Sequence, residues 1–174
     1  MVTMKLNKYL RTLLILIVLG SNIGCDQVSK NIARQSLQYN EQIGYFNNYL
    51  MLIKVENAGA FLSLGDSLPQ PLRSLLLTLM PIAALAFALI YLFAKKDLST
   101  TAVTGICFVI GGGIGNIYDR IVYGSVTDFL HMDFGIFRTG IFNMADVSVM
   151  IGTLLVLVEL YFQPEANKET SDLG

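Results

Sequence analysis

The chain has 174 residues, enough for one domain, and 53% of them are hydrophobic whereas only 14% are charged. Because a soluble domain carries about 25% charged residues, this composition excludes an ordinary soluble protein and indicates one that lies in a membrane. The formal net charge of −1 provides no basic surface for phosphate groups, so we expect no nucleic-acid partner.

The first apolar segment, residues 10–24, is short for a membrane span of about 20 residues and has two interpretations. A basic start and a small residue before Cys25 are typical of a cleavable signal peptide. The residues before Cys25 match a lipoprotein cleavage site poorly, however, and three further apolar segments follow. We therefore predict an uncleaved span over 9–26. Cys107 lies in a later segment at another expected depth, so we predict no disulfide.

A polar stretch follows this span, with Asp26 and Lys30 four residues apart in the favourable acid-first order on a helix. Such a pair is either a solvated ion pair at the end of a helix or an anchor at the edge of a site. Taken alone, the stretch favours the solvated pair.

Residues 49–55 alternate between two faces and predict a strand. Asn57 and Gly59 follow it in a motif of small residues, which permits close approach of another backbone. The alternative is a plain corner between a strand and a turn.

The second and third spans are predicted over 72–94 and 100–119. Pro81 predicts a kink in the second, and Ser99, Thr100 or Thr101 is expected to cap the third. Several glycines in the third span form a face that lets membrane helices pack closely.

The rest of the chain predicts two short strands, about 122–129 and 134–141, and a fourth span over 142–162. Residues 163–174 are polar and are expected to be a disordered cytoplasmic tail. The predicted fold is a mainly α membrane protein, in which residues 1–162 form a single domain of four transmembrane helices with a small β-sheet on the outer face.

Four crossings place the polar motifs together, whatever the orientation of the chain. The end of the first span, the end of the third, the start of the fourth and two connections all lie at one membrane face. An aspartate at the centre of a membrane helix costs about 2.5–3.5 kcal/mol, so several such groups at one face indicate a functional site. The predicted site contains Asp26, Lys30, Asn57, Gly59, Asn116, Asp119, Arg120, Asp128, Asn143 and Asp146.

Orientation depends on the positive charges, which are equally numerous on the two sides. Lys5, Lys8 and Arg11 form a compact cluster beside the first span, and Lys95 with Lys96 forms another between the second and third. These clusters predict that both termini are cytoplasmic and that the acidic site lies outside.

Two neighbouring carboxyls that share a proton can activate water and protonate a leaving group. Asp119 suits this role least, because the adjacent Arg120, or another neighbour, could hold it ionised. Asp128 and Asp146 have no adjacent cation and are the predicted catalytic pair, with Asn116 and Asn143 orienting them.

Other chemistries are weaker. Ser29 and Lys30 are adjacent on a helix and do not face each other, which disfavours a Ser–Lys peptidase. A metal site from Asp128, His131 and Asp133 has an unconvincing spacing, so no metal or cofactor is expected. A small proton-coupled transporter or channel is disfavoured because all the acids lie at one face. A non-catalytic assembly or anchoring protein is a further alternative.

The motifs closely resemble those of bacterial lipoprotein signal peptidases, the signal peptidase II family, in order and over essentially the whole chain. The matching segments are 26–30, 57–61, 112–120, 126–129 and 142–146. The long segment 31–48 and the short tail depart from the family pattern.

The resemblance implies an aspartyl endopeptidase, with Asp128 and Asp146 as catalytic residues, that cuts prolipoproteins before a diacylglyceryl-modified cysteine. It implies supporting or substrate-binding roles for the other predicted site residues and for Ala145. It also implies a location in the bacterial cytoplasmic membrane, contact with membrane lipid and inhibition by globomycin-type peptides. We expect a monomer, with the small sheet holding the extended substrate by backbone hydrogen bonds.

Overall fold

The computed structural model describes residues 7–39, 41–60, 65 and 67–162. In this part of the chain, four helices are long and apolar enough to cross a membrane. They are α1 (Lys8–Ser36), α2 (Gln70–Ala94), α3 (Thr100–Tyr123) and α4 (Met144–Phe162). A three-stranded antiparallel sheet joins them, in the order β1 (Gln42–Tyr45), β2 (Leu50–Asn57) and β3 (Val126–Met132). The predicted fold class is confirmed, while the predicted tail 163–174 lies outside the described residues.

Helix α1 is longer than predicted. It begins after Asn7, whose side chain accepts a hydrogen bond from the Leu10 amide, and continues ten residues past the expected end at residue 26. Residues 26–36 contain no glycine or proline to end the helix, and the Asp26–Lys30 spacing stabilises it. The polar extension therefore remains helical.

Helix α2 accommodates Pro81 without a break. A proline ring clashes with the carbonyl four residues earlier and offers no amide hydrogen. The turn before it, Leu75–Leu79, is a π-helix, in which the Met80 amide donates to the Leu75 carbonyl. The proline thus stands just after a widened turn, a feature known to bend helices.

Helix α3 packs against its neighbours through glycines. A side chain at Gly112 would collide with Ala145 of α4, and one at Gly115 would collide with Asp26 of α1. Small residues are therefore required where three helices meet around the predicted site. Ser99 caps the start of α3, as one of the three predicted caps, because its hydroxyl accepts from the Ala102 amide.

Two strand predictions differ from the structure. The strand expected over 122–129 begins only at Val126, because α3 extends to Tyr123 and ends at Gly124, whose φ of 78° is a left-handed helix end. Residues 134–141 form a loop with isolated bridges rather than a strand, because Gly135 turns with a φ of 81°. The predicted strand over 49–55 is confirmed as β2.

One end of the bundle is closed by Arg11 of α1. Its Nη2 donates to the carbonyls of Leu92 and Lys95, each at 2.6 Å, at the end of α2. The start of α1 and the end of α2 therefore lie at the same end of the bundle, as the count of crossings requires.

Candidate active site

The predicted catalytic pair lines one cavity at the end of the bundle that carries the sheet. Asp128 comes from β3 and Asp146 from the first turn of α4. The cavity holds about 160 Å³, and its wall includes Asn57, Asn116 and Arg120. The cavity thus brings together side chains from β2, β3, α3 and α4, which the count of crossings had placed at one face.

Side-chain amides hold both carboxylates. Asn57 Nδ2 donates to Asp128 Oδ2 at 2.9 Å, and Asn143 Nδ2 donates to Asp128 Oδ1 at 2.7 Å. Asn116 Nδ2 donates to Asp146 Oδ1 at 2.9 Å. The Asn143 side-chain amide also donates to Asn116 Oδ1 at 3.1 Å, so one hydrogen-bonded chain joins the two acids.

Asp146 also helps to cap the start of α4. The Asp146 amide donates to Asn143 Oδ1 at 3.0 Å, and the Asn143 amide donates to Asp146 Oδ2 at 3.1 Å. This reciprocal arrangement is a capping box. One oxygen of Asp146 is thus held by the helix start and the other by Asn116, which fixes the carboxylate beside the cavity.

Lys30 is fully buried, which excludes the solvated alternative for the Asp26–Lys30 pair and leaves its place in the predicted site. Its Nζ lies 2.9 Å from Asp26 Oδ2 and 3.2 Å from Asp119 Oδ2. It also donates to Asn116 Oδ1 at 2.9 Å. Asp26 Oδ1 in turn accepts from the Ala145 amide at 2.9 Å. The buried ion cluster therefore supports Asn116, which donates to Asp146, and Ala145, which directly precedes Asp146.

Asp119 and Arg120 are not the mutual pair that the sequence suggested. Asp119 lies between two cations of α1, with Arg34 Nη2 2.9 Å from Oδ1 and Lys30 near Oδ2. Arg120 instead lines the cavity and donates to the Gly59 carbonyl at 2.8 Å. Adjacent residues on a helix point in different directions, which separates the two side chains.

The motif around Asn57 is a turn that supports the cavity. Asn57 Oδ1 accepts from the Gly59 amide at 3.0 Å, and its Nδ2 reaches the Ala60 carbonyl at 3.1 Å in addition to Asp128. This turn also presents the Gly59 carbonyl to Arg120. The motif is therefore more than a corner between a strand and a turn, because it contacts Asp128 and Arg120.

Asp128, His131 and Asp133 do not converge as the metal alternative required. Successive side chains of a strand point to opposite faces, so Asp128 and His131, three positions apart in β3, diverge. Asp133 is held by Arg138, whose Nε lies 2.9 Å from Oδ2.

Some residues around the site were not predicted from the sequence, among them Gln27, which donates to Asp26 and Asp119, and three others. The three others are Arg34, which contacts Asp119, and Glu56 and Thr127 on the adjacent strands. Arg34 follows Asp26 and Lys30 at the same four-residue spacing. That spacing would have identified it had α1 been predicted to continue past residue 26.

The environment of Asp128 suits proton transfer near neutral pH. Burial raises the pKa of its carboxyl from 3.8 to about 6, and the nearby Asp146 raises it as well. Hydrogen bonds from Asn57 and Asn143 and the charge of Lys30 lower this pKa and oppose the rise. A carboxyl whose pKa lies this close to neutral pH can both take up and release a proton, which suits general acid–base catalysis.

This carboxyl should make the free energy of unfolding fall as the pH rises. When folding raises the pKa of an acid, the acid contributes its full stabilisation at a pH below its pKa in the unfolded chain. That stabilisation is lost as the pH rises through its pKa in the folded protein. The shift from 3.8 to about 6 corresponds to roughly 3 kcal/mol. The melting temperature of Asp128→Asn relative to the unmodified protein should therefore increase from about pH 4 to about pH 6 and then level off. A difference independent of pH would contradict the raised pKa.

Known proteins resemble this chain over most of its length. The family described as "Signal peptidase (SPase) II" matches residues 14–162. A lipoprotein signal peptidase of Aquifex aeolicus is 32% identical over 143 residues, which cover 82% of this chain and 83% of that protein. One of Streptococcus pneumoniae is 31% identical over 138 residues, with coverages of 79% and 86%.

Solved structures share the fold. A bacterial membrane enzyme determined by the in meso method at 2.3 Å resolution aligns with a TM-score of 0.74 and 25% identity, covering 97% of this chain and 98% of that one. A second, at 1.9 Å resolution, aligns with a TM-score of 0.70 and 24% identity, with coverages of 94% and 99%.

Proposed function

Because the chain belongs to the signal peptidase II family and removes signal peptides from prolipoproteins, we propose that it does so as an aspartic endopeptidase. Asp128 and Asp146 are the catalytic pair. The observation that carries this proposal is their position on one cavity, with each carboxylate held by an asparagine amide.

In the proposed reaction the two carboxyls hold a water molecule between them, one protonated and one ionised. The ionised carboxyl takes a proton from the water as it attacks the scissile carbonyl. The other supplies a proton, which leaves with the amine when the peptide bond breaks. Arg120 contributes a positive charge at the cavity wall, where it can stabilise the oxyanion that develops during the attack. No metal or covalent intermediate enters this scheme.

An apolar groove beside the cavity is consistent with a lipid-modified substrate. It holds about 340 Å³ and is lined by α2 and α3. Ile82 and Ile117 of the groove directly follow Pro81 and Asn116 of the catalytic cavity in the sequence. A diacylglyceryl chain or the apolar signal segment can occupy the groove while the peptide bond before the modified cysteine enters the cavity. Globomycin-type cyclic peptides would compete for the same place.

We place both termini in the cytoplasm and the site at the outer face, on the basis of the basic clusters near Arg11 and Lys95. Reporter fusions after residue 174 and within 36–48 should then report opposite sides of the membrane. Two fusions on the same side would overturn the four-span model, and a cytoplasmic reporter within 36–48 would overturn this orientation.

The direct test is cleavage of a synthetic diacylglyceryl-modified precursor by the purified protein in detergent or lipid. We expect cleavage before the modified cysteine, no cleavage of the same peptide without the lipid, and full activity in the presence of a strong chelator. Loss of activity with chelator and rescue by zinc would favour the metal alternative. A lack of cleavage under all conditions would contradict the aspartic endopeptidase.

A further inference from the structure

Arg34 links α1 to α3 and to β3, the strand that carries Asp128. Its Nε donates to Thr127 Oγ1 at 2.9 Å, and its Nη2 lies 2.9 Å from Asp119 Oδ1. The guanidinium also lies over the ring of Tyr123, 4.0 Å from its centroid. One side chain of α1 thus contacts the end of α3 and the start of β3.

Thr127 is held through both its amide and its hydroxyl. It is fully buried, and its amide donates to Asp119 Oδ2 at 3.2 Å. Its hydroxyl accepts from Arg34 and donates to Glu56 Oε1 at 3.0 Å, while Glu56 Oε2 accepts from Ser125. Glu56 is also the direct partner of Thr127 across the β2–β3 pair.

These contacts lie next to Asp128 in the sequence, but none of them includes the Asp128 or Asp146 carboxylate. Thr127 directly precedes Asp128, and Glu56 directly precedes Asn57, which donates to Asp128. Because alternate residues of a strand face opposite sides, Thr127 and Glu56 bind on one face of the strand pair while Asp128 and Asn57 meet on the other. The hydrogen bonds of Thr127 therefore fix the part of β3 from which the Asp128 carboxylate projects.

We propose that Arg34 is a positioning residue for the proposed peptidase reaction and acts on Asp128 through Thr127 and Asp119. The guanidinium fork matches both partners at once, and no shorter or unbranched cation can bind both in the same geometry. Glu56 completes the arrangement by fixing the hydroxyl of Thr127. This inference rests on the proposed function.

In the described part of the chain, three charged groups face Asp128, and replacement of Arg34 removes none of them. They are Asp146 of α4, Lys30 of α1 and Arg120 of α3. A loosened β3 would admit water to Asp128 and lower the pKa of its carboxyl toward the ordinary range. The pH profile of cleavage therefore reports the position of β3.

The test measures kcat, KM and the pH profile for Arg34→Gln, Thr127→Val and the double variant. Each single variant should lower kcat by about 10–100-fold, because small displacements of a catalytic group have effects of that size. KM should stay within about twofold, since the groove is untouched. The limb of the pH profile that depends on Asp128 should move to lower pH. The double variant should be no worse than the more affected single one, because both interrupt one chain of contacts.

Two matched variants complete the design. Arg34→Lys should recover part of the loss, since it keeps a charge beside Asp119 but not the bond from Nε to Thr127. Arg138→Gln removes an exposed arginine whose partner is Asp133 and should leave kcat and the pH profile unchanged. Thr127→Val preserves shape, so it decides the matter if Arg34→Gln fails to fold.

Unchanged kcat in both single variants, losses that multiply, or a rise in KM alone would each overturn the role of Arg34. These outcomes require an active unmodified enzyme. An unmodified protein that does not cleave would contradict the proposed function instead.

Discussion

Asp128→Asn and Asp146→Asn should each nearly abolish cleavage of a lipidated precursor. General acid–base catalysis contributes about 10²–10⁴-fold, and each replacement removes one carboxyl of a pair that shares the work. Groups that act as one unit are strongly non-additive, so the double variant should be scarcely worse than either single one.

Both replacements should leave the protein folded. Asparagine keeps the shape of aspartate, and a neutral amide is less costly to bury than a carboxylate. In Asp128→Asn, the new amide oxygen can still accept from one of the two asparagines that donate to Asp128. Melting temperature and folded yield measured on the same preparations separate catalysis from folding.

Ser148→Ala is a suitable matched control on the same helix as Asp146. Ser148 is buried and contacts Asn22 of α1, away from the catalytic cavity. This variant should keep its rate while losing some stability. Substantial turnover by either aspartate variant, or two losses that multiply, would rule out the shared-proton mechanism.

Lys30→Met should have the largest effect on folding. It removes a fully buried cation from between Asp26 and Asp119, and it leaves Asn116 Oδ1 with one donor fewer. Breaking a buried ion pair by removing one partner costs about 3–5 kcal/mol, because the remaining charge is buried without compensation. Little folded protein should be recovered, and what is recovered should melt at a markedly lower temperature.

Two variants give this expectation a control and a rescue. Lys95→Met removes an exposed lysine that lies 3.9 Å from Asp97, and it should change stability little. Adding Asp26→Asn to Lys30→Met should restore part of the stability, because it removes the uncompensated charge and can still accept from the Ala145 amide. A Lys30→Met protein as stable as the unmodified one would show that Lys30 does not hold the cluster together.

Much of the architecture could be predicted from local pattern alone. Long apolar runs require helices in a membrane, since every backbone amide must bond within its own segment. Four such runs then place the ends of α1 and α3 and the start of α4 on one face, whatever their packing. This count brought Asp128, Asp146 and three asparagines into one predicted site, and the structure places them together.

Other features depended on contacts between distant parts of the chain. The sequence allows Asp119 to be held ionised by the adjacent Arg120 or by another neighbour. Packing decides between them, because Lys30 and Arg34 reach Asp119 across the helix interface. Nor does local pattern show whether Lys30 is solvated. Its burial follows from the close approach of α1 to α3 at Gly115.

Local pattern was sufficient for the spans and for placing the acids, Asp128 and Asp146 among them, at one end of the bundle. These follow from hydrophobic periodicity and from the cost of charge near hydrocarbon, which are properties of each segment. The length of α1, the loop over 134–141 and the partners of Asp119 and Arg120 became apparent only in the packed molecule. Ion pairs and strand register depend on distances of a few ångströms between elements, and those distances arise only when the helices pack.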